Sequence, residues 1–220
     1  MVILNLKTYT ESTGSNILSI FDSLTNEISK NPSLKDLIYV APSNIYLSEI
    51  KNKYPTVNLA SQTVSSKNAG STTGWIPADN LVSLGVNVAI YNHSENRQDM
   101  ETIVEDVMAI QAKGIKLIVC CENVEEATKI LEASPFAIAY EPKDLIGSGI
   151  SVTTRPEAVT EFVSLVKGKT KVIMGAGVST KEDVENSIKL GADGVLLASA
   201  YVKAEDKGAK LLELAGPFLK

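Results

Sequence analysis

The sequence is poor in the residues that form disulfides and zinc sites. It contains two cysteines and one histidine in 220 residues. Cys120 and Cys121 are adjacent, so they are badly placed to bridge each other, and two thiols provide no secreted-type disulfide framework. They also lack the spacing and the histidines of a zinc site. We therefore expect both cysteines to be buried strand residues in a reducing compartment.

Positive charge and long apolar runs are also scarce. The chain has 21 Lys and Arg against 26 Asp and Glu, a net charge of −5, which leaves no basic stripe for nucleic acid. Apolar runs such as 86–91 and 195–200 are too short to cross a bilayer, and no charged and apolar leader precedes them. We predict a soluble, cytoplasmic protein without nucleic-acid or membrane partners. An anionic substrate would be attracted by local amides and placed cations, because the overall field opposes it.

Short strand-like runs alternate with amphipathic segments along the whole chain, a pattern typical of βα units and a mostly parallel sheet. Helical periodicity is clear at Ile17, Phe21, Leu24 and Ile28, for example. Eight parallel strands close a barrel. We count eight strand-like runs, at 2–6, 37–41, 57–61, 86–91, 115–121, 136–140, 171–174 and 194–197. The prediction is an α/β fold, a single-domain (β/α)8 TIM barrel over residues 1–220.

The main architectural alternative is an open, doubly wound sheet, and the length also allows one or two smaller domains. A doubly wound sheet normally carries a glycine fingerprint after its first strand, whereas the first run here ends in Asn5-Leu6-Lys7. No linker or low-complexity tract divides the chain. Ser179 with Glu182 has the spacing of a capping box at a helix start.

The carboxyl ends of barrel strands and the loops after them form one face, where active sites are built. Asn5 and Lys7 follow the first run, His93 follows the fourth, and Glu141 follows the sixth. Small residues follow the last three runs, at Gly147, Gly177, Ala198 and Ser199, and they allow backbone amides to approach a phosphate. We therefore predict a cation, an imidazole, a carboxylate and a phosphate nest at one mouth.

Each of these side chains alone also has an ordinary interpretation. Most glutamates and lysines are surface groups, and a lone histidine is more often structural. Together they suit proton transfer between adjacent carbons, in which Glu141 is the base and His93 the electrophile. A position ahead of a helix favours a neutral His93 ring, which can donate a hydrogen bond. Residues 142–149 combine a proline, apolar cover and glycines, which predicts a mobile active-site lid.

Motifs at these positions resemble those of the triosephosphate isomerase family. They are N-x-K at 5–7, N-H-S-E-N-R at 92–97, A-Y-E-P-K-D-L-I-G-S-G at 139–149, G-A-G at 175–177 and A-D-G-V-L-L-A-S at 192–199. The match runs in order from the first run to the eighth, so it covers essentially the whole chain. The short chain is similar to the archaeal branch of the family.

The resemblance implies interconversion of dihydroxyacetone phosphate and D-glyceraldehyde 3-phosphate through an enediolate, in glycolysis and gluconeogenesis, without a metal or organic cofactor. It implies Glu141 as base, His93 as electrophile, Lys7 as the cation beside the substrate oxygens, Asn5 as its neighbour and Glu95 as the residue that holds the network. The implied substrate- and phosphate-binding residues are Asn5, Lys7, Ile146, Gly147, Gly177, Ala198 and Ser199.

Residues 70–77 resemble the protruding third loop that the family inserts into a neighbouring barrel. This similarity implies a homo-oligomer, either a dimer or a tetramer, in which Thr73 reaches the partner's active site and Trp75 packs in the interface.

Two other functions are compatible with part of this pattern. A different phosphate-handling barrel, such as an indole glycerol phosphate or prenyl-glycerol phosphate enzyme, would share the glycine loops but would not need N-H-S-E and E-P together. A non-catalytic barrel that only binds a phosphometabolite predicts the loss of Lys7, His93 or Glu141, and all three are present.

Overall fold

The structure of the protein is a computed structural model, in which residues 1–145 and 151–219 are described. Within them, seven strands alternate with helices along the chain. The strands are β1 (Val2–Asn5), β2 (Ile38–Ala41), β3 (Val88–Tyr91), β4 (Lys116–Cys121), β5 (Ala137–Tyr140), β6 (Lys171–Met174) and β7 (Gly194–Leu197). The α-helices are α1 (Asn16–Lys30), α2 (Leu34–Leu37), α3 (Leu47–Lys53), α4 (Ala78–Ser83), α5 (Ile103–Ala112), α6 (Val124–Leu131), α7 (Pro156–Val166), α8 (Lys181–Lys189), α9 (Ser199–Val202) and α10 (Lys207–Ala215).

All the strand pairs are parallel, and the strand order is β2-β1-β7-β6-β5-β4-β3. Residues 58–61 lie between the two edge strands of this order. The Ala60 N–H donates to the Val40 carbonyl at 2.8 Å, and the Ile90 N–H donates to the Ser61 carbonyl at 2.9 Å. These bonds join β2 to β3 and close the sheet. The predicted α/β barrel is therefore confirmed.

The third predicted run differs from the other seven. Residues 57–61 form parallel bridges, Val40 with Leu59 and Ser61 with Ala89, but no regular strand. This segment completes the barrel between β2 and β3, but it pairs with them through isolated bridges. The other runs are confirmed, with strands that begin up to two residues later than predicted, as in β3 at Val88.

Alternation along the strands separates two buried layers. The side chains inside the barrel form one cluster, and those between strands and helices form the other. On β5, Ala137 and Ala139 belong to the interior, so the next side chain of that alternation is Glu141. On β4, Cys120 belongs to the interior and Cys121 to the outer layer. Both cysteines are buried strand residues, as predicted.

The capping box of α8 lies one residue beyond the predicted position. Thr180 is the N-cap, and its hydroxyl accepts from the Asp183 N–H while the Asp183 carboxylate accepts from the Thr180 N–H. The prediction of Ser179 with Glu182 was wrong, because the sequence holds two overlapping copies of the spacing. Ser179 instead donates its own N–H to Asp183 at 2.9 Å. No helix in the described ranges combines the length and apolar character that a membrane span requires.

Candidate active site

A cavity of about 220 Å³ opens at the carboxyl ends of the strands. Its walls come from loops after β1, β3, β5, β6 and β7. The lining residues are Lys7, Tyr9, His93, Glu141, Gly175, Ala176, Gly177, Val178, Ser179, Leu196, Leu197, Ala198, Ser199 and Ala200. The structure thus brings together the predicted cation, imidazole, carboxylate and small-residue loops in one pocket. Within the described residues, no group of three or more His, Cys, Asp or Glu is arranged to hold a metal ion.

Glu141 is the most buried ionisable side chain of this cavity, with 3% of the residue exposed. Its backbone N–H donates to the Cys121 carbonyl at 2.8 Å, which extends the β5 pairing by one residue. Its Oε2 atom has no hydrogen-bond partner among the described residues. Burial raises the pKa of Glu141, while His93, the Cys120 thiol and the Lys7 ammonium act in the opposite direction. A desolvated carboxylate with a raised pKa is suited to accept a proton.

Cys120 is a neighbour of Glu141 that the sequence interpretation did not assign to the site. Burial, and then the adjacent Glu141 carboxylate, raise the pKa of the Cys120 thiol well above its ordinary value. The thiol therefore stays protonated and stabilises the charged form of Glu141. The period of two along β4, with Ile118 and Cys120 inside the barrel, is the signal that could have identified it.

His93 presents one ring nitrogen to the backbone and the other to Glu141. Its Nδ1 accepts from the Glu95 N–H at 3.1 Å, so in the neutral ring the proton lies on Nε2. Nε2 is 3.6 Å from Glu141 Oε1. The residue is 7% exposed. A donor and a carboxylate therefore lie side by side at the cavity.

The polypeptide after His93 does not continue directly into a helix, as the sequence interpretation assumed. Turns occupy the residues before α5, which begins at Ile103. Asn92 has a φ of 57° and fixes the turn, because its amide donates to the Cys120 carbonyl at 2.8 Å and its Oδ1 accepts from the Gln98 N–H at 2.9 Å. The Glu95 amide, and not a helix terminus, orients the imidazole.

Lys7 lies beyond the end of β1 in a left-handed conformation, with a φ of 46°. A non-glycine residue in this region is strained by about 1 kcal/mol or more. Two side chains hold it there: Asn5 Oδ1 accepts from the Lys7 N–H at 3.1 Å, and the Gln62 amide donates to the Lys7 carbonyl at 3.0 Å. Gln62 also donates to the Ala41 carbonyl at 2.9 Å. Gln62 was not identified from the sequence, because the contact joins segments far apart in the chain.

Asn5 and Glu95 lie beside the main cavity and not in its lining. Together with Lys7 and His93 they border a second cavity of about 210 Å³. The Lys7 ammonium is 2.7 Å from Glu95 Oε1, and the Glu95 side chain is 57% exposed. The structure therefore gives Asn5 a backbone contact with Lys7, and Glu95 contacts with both Lys7 and His93.

The small residues predicted to bind phosphate fall into two groups. Gly177, Ala198 and Ser199 line the main cavity together with His93 and Glu141, and Gly177 has a φ of 68°. The first N–H groups of a helix lack intrahelical partners, and Ser199 begins α9. Ile146 and Gly147, the other two predicted residues, lie outside the described residues.

The predicted lid, residues 142–149, is described as far as residue 145. Residues Lys143–Leu145 form a 3-10 helix, and Leu145 is buried. The Asp144 carboxylate pairs with the Arg155 guanidinium, which holds the pKa of Asp144 below its ordinary value. Arg155 directly precedes α7.

Residues 70–77 form most of an exposed loop whose ends meet at its base. Ser65 and Pro77 form a parallel bridge, and the Ser65 N–H donates to the Ile76 carbonyl at 2.7 Å. Thr73 is exposed, and Trp75 is 55% exposed although the Lys67 ammonium lies 4.8 Å from its ring centroid. A large aromatic side chain in this position is available for contacts outside the chain.

Gly175 faces the Glu141 side chain directly, so a larger residue at this position is expected to disturb the site. An added Cβ would lie 2.6 Å from Glu141 Cγ and 2.9 Å from Oε1, so Gly175→Ala must displace the carboxylate. We expect a loss of about 10–10²-fold in kcat with binding of inorganic phosphate retained, because small displacements of catalytic groups have effects of this size. Steady-state kinetics and phosphate inhibition of the purified variant measure both quantities.

Gly216→Ala is the matched control for Gly175→Ala. No atom lies within 4 Å of a Cβ added at Gly216, and its φ is not left-handed, so kcat is expected to stay at the original value. In a Glu141→Gln background, Gly175→Ala is expected to cause no further loss, since the carboxylate it displaces is already absent. An undiminished effect in that background would contradict the steric explanation.

Comparison with known proteins agrees with the motifs and with this geometry. A family model described as triosephosphate isomerase matches residues 1–215. The triosephosphate isomerase of Thermoplasma volcanium is 35% identical over 207 residues, which cover 93% of this chain and 94% of that protein. The Methanobrevibacter smithii enzyme of the same name is 36% identical over 218 residues, covering 97% and 96%. The one from Caldivirga maquilingensis is 35% identical over 223 residues, covering 100% and 97%. This chain belongs to the triosephosphate isomerase family.

Proposed function

We propose that Glu141, His93 and Lys7 carry out proton transfer on a triose phosphate. Membership of the family makes this chain an isomerase that interconverts dihydroxyacetone phosphate and D-glyceraldehyde 3-phosphate, a reaction of glycolysis and gluconeogenesis. The observation that carries the assignment is the separation of 3.6 Å between His93 Nε2 and Glu141 Oε1 at the wall of one cavity that Lys7 also lines. One small substrate can contact all three groups there.

In the proposed reaction, the Glu141 carboxylate removes a proton from the carbon next to the carbonyl. The Nε2 hydrogen of neutral His93 donates to the carbonyl oxygen, and the Lys7 ammonium stabilises the negative charge of the enediolate. Glu141 then returns the proton to the neighbouring carbon. His93 gives its Nε2 proton to the former carbonyl oxygen and takes the proton of the original hydroxyl, so that the hydroxyl and carbonyl exchange places. The division of labour between a glutamate base and a neutral histidine is known for this family, and in this chain Glu141 and His93 would take these two roles.

We place the substrate phosphate at the wall of the cavity that the loops after β6 and β7 form. We assign its binding to backbone amides at Gly177, Ala198 and Ser199, supplemented by Ile146 and Gly147. Small side chains at the described positions leave the amides accessible, which supports this assignment. The lid of residues 142–149 would exclude water and suppress loss of phosphate from the enediolate.

The assembly is proposed to be a homo-oligomer of cytoplasmic chains, a dimer or a tetramer. The exposed loop of residues 70–77 supports this proposal, since it presents Thr73 and Trp75 to solvent in the single chain. The second cavity, which adjoins Lys7 and His93, would receive the partner's loop. Light scattering of the purified chain and of a Trp75→Ser variant, expected to shift towards monomer, tests the interface.

A coupled assay of glyceraldehyde 3-phosphate consumption with the purified protein tests the function. We expect turnover without added metal or organic cofactor. A folded, pure protein without turnover would contradict the assignment and favour a phosphate-binding barrel.

The pH dependence of kcat/KM is a further prediction. The base is active when ionised and inactive when protonated, so a raised pKa of Glu141 moves the acid limb to a pH above the ordinary value of 4.5. The substrate phosphate also titrates, near pH ~6. The profile should therefore be measured with unphosphorylated D-glyceraldehyde as well. An acid limb at the ordinary carboxyl value with both substrates would contradict the burial argument.

A further inference from the structure

Among the described residues that line the active-site cavity, no lysine or arginine is free of an ion pair. Lys7 is the one lysine or arginine in the lining of the described cavity, and Glu95 lies 2.7 Å from its ammonium. The whole chain carries a net charge of −5, so the overall field opposes a phosphate ester. A further positive charge near the phosphate wall would therefore have a measurable effect on binding.

Lys203 lies directly behind that wall. Its backbone N–H donates to the Ser199 carbonyl at 2.9 Å, one helical turn after Ser199. Ser199 and Ala200 line the main cavity and also a neighbouring cleft of about 500 Å³, which Lys203 lines. The proposed phosphate-binding backbone thus forms the partition between the substrate cavity and the lysine.

The Lys203 ammonium lies over an aromatic ring and forms no ion pair with a carboxylate among the described residues. It lies 5.0 Å from the ring centroid of Tyr9, which itself lines the main cavity. A cation over a tyrosine face at this distance is stabilised without losing its charge. No ion pair within 4.0 Å involves Lys203 among the described residues. Hydrogen bonds from its own backbone and from the Thr10 hydroxyl lower the pKa of Glu11, and the charges of Lys203 and Lys207 contribute less.

Lys210 borders the same cleft but differs in its charge environment. Its ammonium contacts both oxygens of Glu213 at 3.0 Å. The pair is neutral overall, so Lys210 offers little field to an anion in the main cavity. The cleft therefore contains two ammonium groups that can be compared. Among the described residues, that of Lys203 has no ion pair, whereas that of Lys210 is paired with Glu213.

We propose that Lys203 is a positioning residue for the substrate phosphate, which acts on it electrostatically from across the partition formed by Ser199 and Ala200. This inference rests on the proposed function, because it names a determinant of affinity for the same phosphate. The ammonium attracts the dianion and keeps it at the amides of the wall, while it takes no part in proton transfer.

The test compares Lys203→Met, Lys203→Arg and Lys203→Glu with the unaltered enzyme. For Lys203→Met we expect the inhibition constant of inorganic phosphate and the KM for glyceraldehyde 3-phosphate to rise about 3–10-fold, since one nearby charge is lost. The kcat is expected to stay within about twofold. Arginine should preserve affinity, and glutamate should weaken it further than methionine.

Two readouts separate an electrostatic role from a structural one. The dependence of kcat/KM on ionic strength should be less steep in Lys203→Met, because screening acts on the charge that was removed. Turnover of unphosphorylated D-glyceraldehyde should be unchanged, whereas a displaced Tyr9 or wall would lower it. The matched control removes the neutral pair as a whole: Lys210→Met combined with Glu213→Gln keeps the net charge of the cleft and should leave phosphate inhibition unchanged.

The outcomes distinguish this inference from the proposed function. An active enzyme in which Lys203→Met binds phosphate as tightly as the double variant at Lys210 and Glu213, with unchanged salt dependence, would overturn the role of Lys203 and leave the proposed function intact. An unaltered protein without isomerase turnover would instead overturn the function. Equal weakening for phosphorylated and unphosphorylated substrates would show a structural role and would also overturn the inference.

Discussion

Glu141→Gln is expected to lower kcat by about 10²–10⁴-fold or more while the fold survives. Glutamine keeps the shape of the side chain but cannot accept the substrate proton, and removal of a general base has effects of this size. No other carboxylate of the described cavity could take over as base, because Glu141 is the one Asp or Glu in its lining. The measurement is steady-state kinetics in the coupled assay, with inorganic phosphate inhibition as a check that the site still binds anions.

Glu122→Gln is the matched control for this prediction. Glu122 follows β4 directly, as Glu141 follows β5, but its carboxylate lies 3.9 Å from the Arg97 guanidinium and does not line the cavity. We expect its kcat to stay within a few-fold of the original. Near-normal turnover in Glu141→Gln, or an equal loss in both variants, would exclude the proposed base.

The same substitution, Glu141→Gln, is expected to stabilise the protein at neutral pH by about 1–2 kcal/mol, since the charge is buried and Oε2 has no hydrogen-bond partner among the described residues. Burial raises the folded-state pKa of Glu141, so the folded state binds the proton more tightly than the unfolded state. The native Glu141 therefore lowers stability increasingly as the pH rises above the ordinary value of 4.5, and has little effect below it. Urea unfolding of both proteins below and well above that value should show a difference that is larger at the higher pH.

The barrel was predictable because each strand carries its own local signal. Short apolar runs between amphipathic segments located seven strands within about two residues. The segment at 57–61 shows the limit of this signal, since its apolar residues match the pattern but its pairing depends on how β2 and β3 approach it. The two overlapping capping spacings near α8 show another limit, because local sequence does not choose between Thr180 and Ser179.

The side chains proposed for catalysis were predictable from their positions at strand ends, whereas the residues that support them were not. Lysine gives no local indication of a positive φ, and the conformation of Lys7 depends on Gln62 from a distant segment. Gly175 and Glu141 approach each other from the ends of neighbouring strands, so this contact cannot be predicted from the glycine in the sequence alone. The position of Cys120 near the site was predictable, because alternation along β4 places its side chain inside the barrel.

His93→Ala is expected to lower kcat by about 10²–10³-fold, the effect of removing one donor to a developing oxyanion. The Glu95 N–H occupies Nδ1 at 3.1 Å, so the neutral ring donates from Nε2, which is 3.6 Å from Glu141 Oε1. Loss of the ring leaves the enediolate oxygen with Lys7 alone. The proposed phosphate-binding residues Gly177 and Ser199 lie on other elements, so inhibition by inorganic phosphate should change by less than about threefold.

His93→Gln separates the loss of a donor from the loss of a side chain. Its amide can donate to the same oxygen without carrying charge, so turnover should recover to at least about tenfold above that of His93→Ala. A variant that binds phosphate normally but fails to exceed alanine would contradict the donor role of Nε2. Retention of full activity in His93→Ala would remove the histidine from the mechanism and leave Lys7 as the sole electrophile beside Glu141.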